Sequence, residues 1–163
     1  IKRKIASQPG DSETFSNIEY SGIDIAGNRY IIKSKKAFND SENQEKVNLI
    51  SVVATFYFKD DSTLKITSER GLYNNLTLDM NFYENIVANY EDSKLFAQKA
   101  EYSNINNNLI ISDNVKLDNE EKGIIYADKL IFDINKKTLN VSSNKNKKIN
   151  ANIYLKWKKD LEF

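Results

Sequence analysis

The chain has 163 residues, a length that suits one domain with its own core and is short for two. Its 24 basic and 23 acidic side chains leave a formal net charge of +1, too little field to gather nucleic acid or an anionic membrane surface. Histidine and cysteine are absent, which excludes Ser-His-Asp and Cys-His catalysis, histidine-based metal sites, zinc ribbons, disulfides and a lipid-modified lipobox cysteine.

Residues 1–16 mix basic, small and polar side chains around the single proline, Pro9, with no sustained period, and read as a tail or tether. No window approaches the run of about 20 apolar residues that a membrane-spanning helix needs. The chain begins at Ile1, so a targeting segment or anchor upstream is left open. A β domain is expected over 17–158, with a short C-terminal tail over 159–163.

From Tyr20 onward, short runs of Ile, Val, Tyr, Phe and Thr alternate with clusters of Asn, Asp, Ser, Lys and Gly, the pattern of strands and turns. Tyr30-Ile31-Ile32 opens the series. Leu49 to Phe58 is the clearest strand, and the turn Lys59-Asp60-Asp61-Ser62 joins it to Thr63–Thr67 as a hairpin. Further turns fall at Asn74-Asn75, Glu91-Asp92-Ser93, Asn106 to Asn108, Asn119 to Gly123, Asn135 to Lys137 and Ser143 to Lys148. The acidic pairs Asp60-Asp61 and Glu120-Glu121 lie in these turns, where carboxylates are expected without any catalytic role.

A repeat runs through the series. Ile66-Thr67-Ser68-Glu69-Arg70-Gly71-Leu72-Tyr73 aligns with Leu95-Phe96-Ala97-Gln98-Lys99-Ala100-Glu101-Tyr102 and with Ile125-Tyr126-Ala127-Asp128-Lys129-Leu130-Ile131-Phe132. Asn85-Ile86-Val87 and Asn114-Val115-Lys116 repeat in step with them, and a divergent copy begins at Ile32-Lys33-Ser34-Lys35-Lys36-Ala37-Phe38. In each unit the small residue and the one three positions on have opposite parity, so a bulge or corner is expected between them if both face inward. The inward set is then Ile66, Ser68, Tyr73, Met80, Phe82, Ile86, Leu95, Ala97, Ala100, Tyr102, Leu109, Ile111, Val115, Leu117, Ile125, Ala127, Leu130, Phe132, Leu139 and Val141.

The strand ending in a small residue, the polar corner and the Asn-Val or Asn-Ile-Val return strand resemble the OstA-like repeat of lipopolysaccharide-transport proteins. Phe82-Tyr83-Glu84-Asn85-Ile86-Val87 and Ile110-Ile111-Ser112-Asp113-Asn114-Val115 match best. The long first unit before Leu64 makes the chain resemble the LptC branch over the soluble LptA branch. The fold implied is all-β, an elongated twisted β-jelly roll built from repeated antiparallel strand units. By resemblance the protein is a periplasmic, non-enzymatic carrier without cofactor, tethered to the inner membrane by an N-terminal helix that this chain does not contain. Lipid A acyl chains would lie in an apolar groove lined by Ile66, Ser68, Tyr73, Phe82, Ile86, Leu95, Ala97, Ala100, Tyr102, Ile111, Val115, Ile125, Ala127 and Phe132. The N-terminal edge, Tyr30, Ile31 and Ile32, would meet an inner-membrane LptB/LptF/LptG-type transporter. The C-terminal edge, with Ile149, Ile153 and Leu155, would meet an LptA-like protein. From the residues alone, a filled structural core or a glycan-binding β module stays open.

Overall fold

A computed structural model describes residues 13–142 and the backbone of a last strand at 152–154. The strands are β1 (Thr14–Ile23), β2 (Arg29–Asn39), β3 (Lys46–Tyr57), β4 (Thr63–Asn74), β5 (Met80–Tyr90), β6 (Ser93–Ser103), β7 (Asn108–Asn119), β8 (Gly123–Asp133), β9 (Thr138–Ser142) and β10 (Asn152–Tyr154). They form one antiparallel sheet in chain order, each strand paired with its predecessor. The all-β, repeated-unit architecture inferred from the sequence is the one observed. Strand β1 begins at Thr14, inside the segment read as a tail.

The turns carry their own chemistry. Asn119 Oδ1 accepts from the amides of Glu121 and Lys122, Asn74 Oδ1 from those of Leu76 and Thr77, and Asp40 Oδ1 from those of Glu42 and Asn43. A short polar side chain that satisfies amides two and three residues on is what Asn and Asp contribute to a reversal. These backbone donors hold the Asp40 carboxyl below its usual range.

A crease crosses the sheet near the middle of its strands. On β5 and β7 it is a bulge: Glu84 and Asn85 oppose Gln98 alone, and Asp113 and Asn114 oppose Asp128 alone. All four bulged residues have positive φ. On β1 and β3 the register is unbroken, yet Asn17 (φ 50) and Ser51 (φ 57) are left-handed at the same level. Each strand changes direction there, and its inward parity shifts. Leu64, Ile66 and Ser68 point inward on β4 before the crease, and Gly71 and Tyr73 after it.

The bend brings the two halves of the sheet face to face. Neighbouring strands lie about 4.8 Å apart, so three strands of a flat sheet separate residues by about 14 Å. Yet Phe56 on β3 and Tyr102 on β6 have ring centroids 5.0 Å apart, Tyr20 on β1 and Tyr73 on β4 5.1 Å, and Tyr90 on β5 and Phe132 on β8 5.5 Å. The first half of each strand pair therefore stacks on the second half of a pair about three strands later, a skewed sandwich with a single core.

Candidate functional site

The space between the halves is a wedge, and small side chains flank its crease on β2, β4 and β6. At the crease, where the halves converge, stand Ser34 and Ala37, Ser68 and Gly71, and Ala97 and Ala100. Ser34 and Ser68 each donate their hydroxyl to the carbonyl two residues on, at 3.0 and 2.8 Å, bridging the corner within one strand. Farther from the crease come Phe56, Phe58, Tyr73, Tyr90, Tyr102 and Phe132. The small residues of the repeat thus mark the hinge of the wedge.

Ile66, Ser68, Tyr73, Phe82, Ile86, Leu95, Ala97, Ala100, Tyr102, Ile111, Val115 and Phe132 are all buried in this interior. Ile125 and Ala127 are half-buried, because β9 pairs only with Lys129–Asp133 and leaves the first half of β8 without a facing layer among the described residues. An apolar cavity of about 40 Å³ lies near that end, lined by Leu64, Ala88, Tyr90, Leu95, Leu109, Ile111, Leu117, Phe132 and Leu139, with Ser93 at its rim. That is room for a few water molecules at most. The cavity is only partly enclosed.

A larger cleft of about 410 Å³ follows the crease at the N-terminal end, where Ile18, Ser34, Val52 and Ser68 meet the charged Glu19, Lys33, Lys35 and Glu69.

Burial raises the pKa of Tyr20, Tyr30, Tyr73, Tyr90 and Tyr102, so all five remain neutral phenols. The Tyr30 and Tyr73 hydroxyls share a hydrogen bond of 2.9 Å. The sheet edges need one correction. Tyr30, Ile31 and Ile32 belong to β2, which is hydrogen-bonded to β1 on one side and β3 on the other, so the N-terminal edge of the sheet is β1. Tyr30 and Ile32 are in fact core residues, 1% exposed. At the other end Ile153 lies on β10 opposite Leu139, whereas Ile149 and Leu155 fall outside the described residues.

Several core positions escaped the sequence pattern. Val47, Leu49, Val52, Ala54, Phe56 and Phe58 on and after β3, with Ala88 and Tyr90 on β5, add to the interior, as do Ala37, Leu64 and Ile134. Their signal was present: Asn17-Ile18 and Ser51-Val52 are two further copies of the left-handed residue followed by an inward apolar one seen at Asn85-Ile86 and Asn114-Val115.

A family model described as LptC, lipopolysaccharide-assembly, LptC-related, matches residues 3–95, more than half of the chain. No curated protein matches. The match ends within β6, and the creased repeat continues beyond it through Asp113-Asn114.

Proposed function

The chain belongs to the LptC-related lipopolysaccharide-assembly family and so takes part in lipopolysaccharide transport, and within that role we propose that it is a non-enzymatic carrier for the lipid's acyl chains. It works in the periplasm, tethered at the inner membrane. It receives lipopolysaccharide from an ATP-driven inner-membrane transporter of the LptB/LptF/LptG type and passes it to an LptA-like jelly roll. No phosphate-binding Gly-Lys-Ser/Thr loop occurs in the sequence, so the energy comes from the transporter.

The apolar interior carries this reading: among the described residues it runs out toward the half of β8 that no layer faces. The cavity lined by Leu95, Leu117 and Phe132 lies beside the half of β8 where Ile125 and Ala127 are left partly open. An acyl chain gains about 0.8 kcal/mol per buried methylene, so a wedge lined by apolar side chains holds lipid without any specific chemistry. Partner docking is supported by the edges. Backbone at Gly123–Tyr126 has no strand on its β9 side among the described residues, and Ile124 and Tyr126 are exposed beside it. An incoming strand can be added there, as it can to β1 at the other end.

Photo-crosslinking tests the reading. A benzophenone side chain at Leu117 or Ile125 is expected to capture purified lipopolysaccharide, and one at the outward Lys122 is not. Equal labelling at all three positions, or none, rejects an internal lipid path.

A further inference from the structure

The seam opposite the crease is closed by turns, and one contact in it differs in kind from its neighbours. Ile25 N donates to Asn104 Oδ1 at 3.0 Å, a neutral hydrogen bond between the β1–β2 and β6–β7 turns. Beside it, Lys137 of the β8–β9 turn is 8% exposed, and its Nζ lies 2.9 Å from the centroid of the Phe58 ring, just past the end of β3. No acceptor reaches that ammonium among the described residues.

Charged groups face Lys137 from three other turns: Asp24 from β1–β2, Asp60 from β3–β4 and Glu91 from β5–β6. A ring face returns only part of the hydration that an ammonium loses on burial. Burial accordingly brings the Lys137 pKa down to about 8, against the pull of the three carboxylates. A cleft of about 240 Å³ adjoins the side chain, lined by Asn28, Phe58, Lys59, Asp60 and Asn135. On the inner side, Phe58 packs on Tyr90 at 6.1 Å and Tyr90 on Phe132 at 5.5 Å, and the last two rings line the apolar cavity.

We infer that Lys137 is the release point of the seam: the sandwich opens there, because moving this side chain into the adjacent cleft rehydrates its ammonium and frees the β8–β9 turn from Phe58. The line of rings behind Phe58 then makes the open seam a side entrance to the interior, a consequence that rests on the carrier function proposed above. The sign is specific. A buried charge without a hydrogen-bond partner weakens closure, so removing the charge while keeping the stem on Phe58 tightens it.

Spin labels on cysteines placed at Ile25 and Lys136 are unique, because the chain has no cysteine of its own, and both side chains are exposed at the seam. In the full chain at pH 7, Lys137→Met is expected to cut the long-distance population by about tenfold or more. Lys137→Arg, which keeps the charge, is expected to retain that population. Raising the pH from 7 to 9 narrows the distances in the parent and leaves Lys137→Met unchanged. A folded Lys137→Met protein with an unchanged or lengthened distribution overturns the inference. Uptake of fluorescent lipid A, measured beside it, separates the two readings. Narrowed distances with slower uptake support both, whereas narrowed distances with no uptake by either protein support the seam and remove the carrier.

Discussion

The hydroxyls of Tyr30 and Tyr73 meet 2.9 Å apart inside the sandwich, one on β2 and the other on β4 beyond the crease. Each is the other's hydrogen-bond partner in an apolar surround that has pushed both pKa values up. Removing one hydroxyl strands the other. Tyr73→Phe is therefore expected to cost about 1–3 kcal/mol in urea unfolding. Tyr30→Phe combined with Tyr73→Phe should cost clearly less than the two single changes summed, because neither phenol is then left unpaired.

Gly22 faces Tyr30 across the β1–β2 pair, and the Tyr30 phenol occupies the space that a side chain at Gly22 would need. Gly22→Ala must push that ring off its bond to Tyr73, an overpacking cost of about 1–3 kcal/mol. Gly71 is milder: its added Cβ would lie 3.1 Å from Val52 Cγ2 and 3.2 Å from the Asn81 carbonyl oxygen. Thermal denaturation should rank Gly22→Ala below Gly71→Ala in stability.

Positive φ at the crease restricts which residues the strands accept there. Asn114 (φ 57) tolerates the left-handed region better than most residues, glycine better still, and a β-branched residue worst. Asn114→Gly should leave stability within about 0.5 kcal/mol, and Asn114→Val should lower it by about 1–3 kcal/mol. Equal effects of the two in denaturant titrations would mean that backbone strain does not set the bend.

Alkaline pH should act in two opposite steps. Lys137 has a folded pKa of about 8 against 10.5 for a free lysine, so between those values the unfolded chain holds the extra proton and stability rises with pH. Tyr73 and Tyr102 have pKa values raised above 10, so above that pH the unfolded chain ionises first and stability falls. Melting curves from pH 7 to 11 should pass through a maximum, and Lys137→Met should abolish the rise while keeping the fall.

Much of this was legible in the sequence. The repeat of Ser68, Ala97 and Ala127, each followed three residues later by a second inward position, required a corner, and the corner lies there, as the divergent copy at Ser34 and Ala37 also indicates. Alternation within β5 to β9 located the inward residues because a two-residue period survives on either side of a bulge. What was not legible depends on the angle of the fold. Nothing local relates Ile25 to Asn104, 79 residues away, or sets Lys137 on Phe58. The edge differs from the one expected at Tyr30 for a similar reason: Phe15, Ile18 and Tyr20 of β1 are only half-buried, and pairing with β2 identifies this segment as the edge strand.

If acyl chains enter the apolar wedge, filling it must shut them out. Ala88 borders the cavity of about 40 Å³ among Leu64, Leu95 and Leu117. Ala88→Leu adds bulk into that space and leaves the outer surface and both edges as they are. Equilibrium binding of purified lipopolysaccharide should weaken about tenfold in a variant that still unfolds cooperatively, a loss of about 1.4 kcal/mol. Undiminished binding by such a variant would put the lipid outside the sandwich.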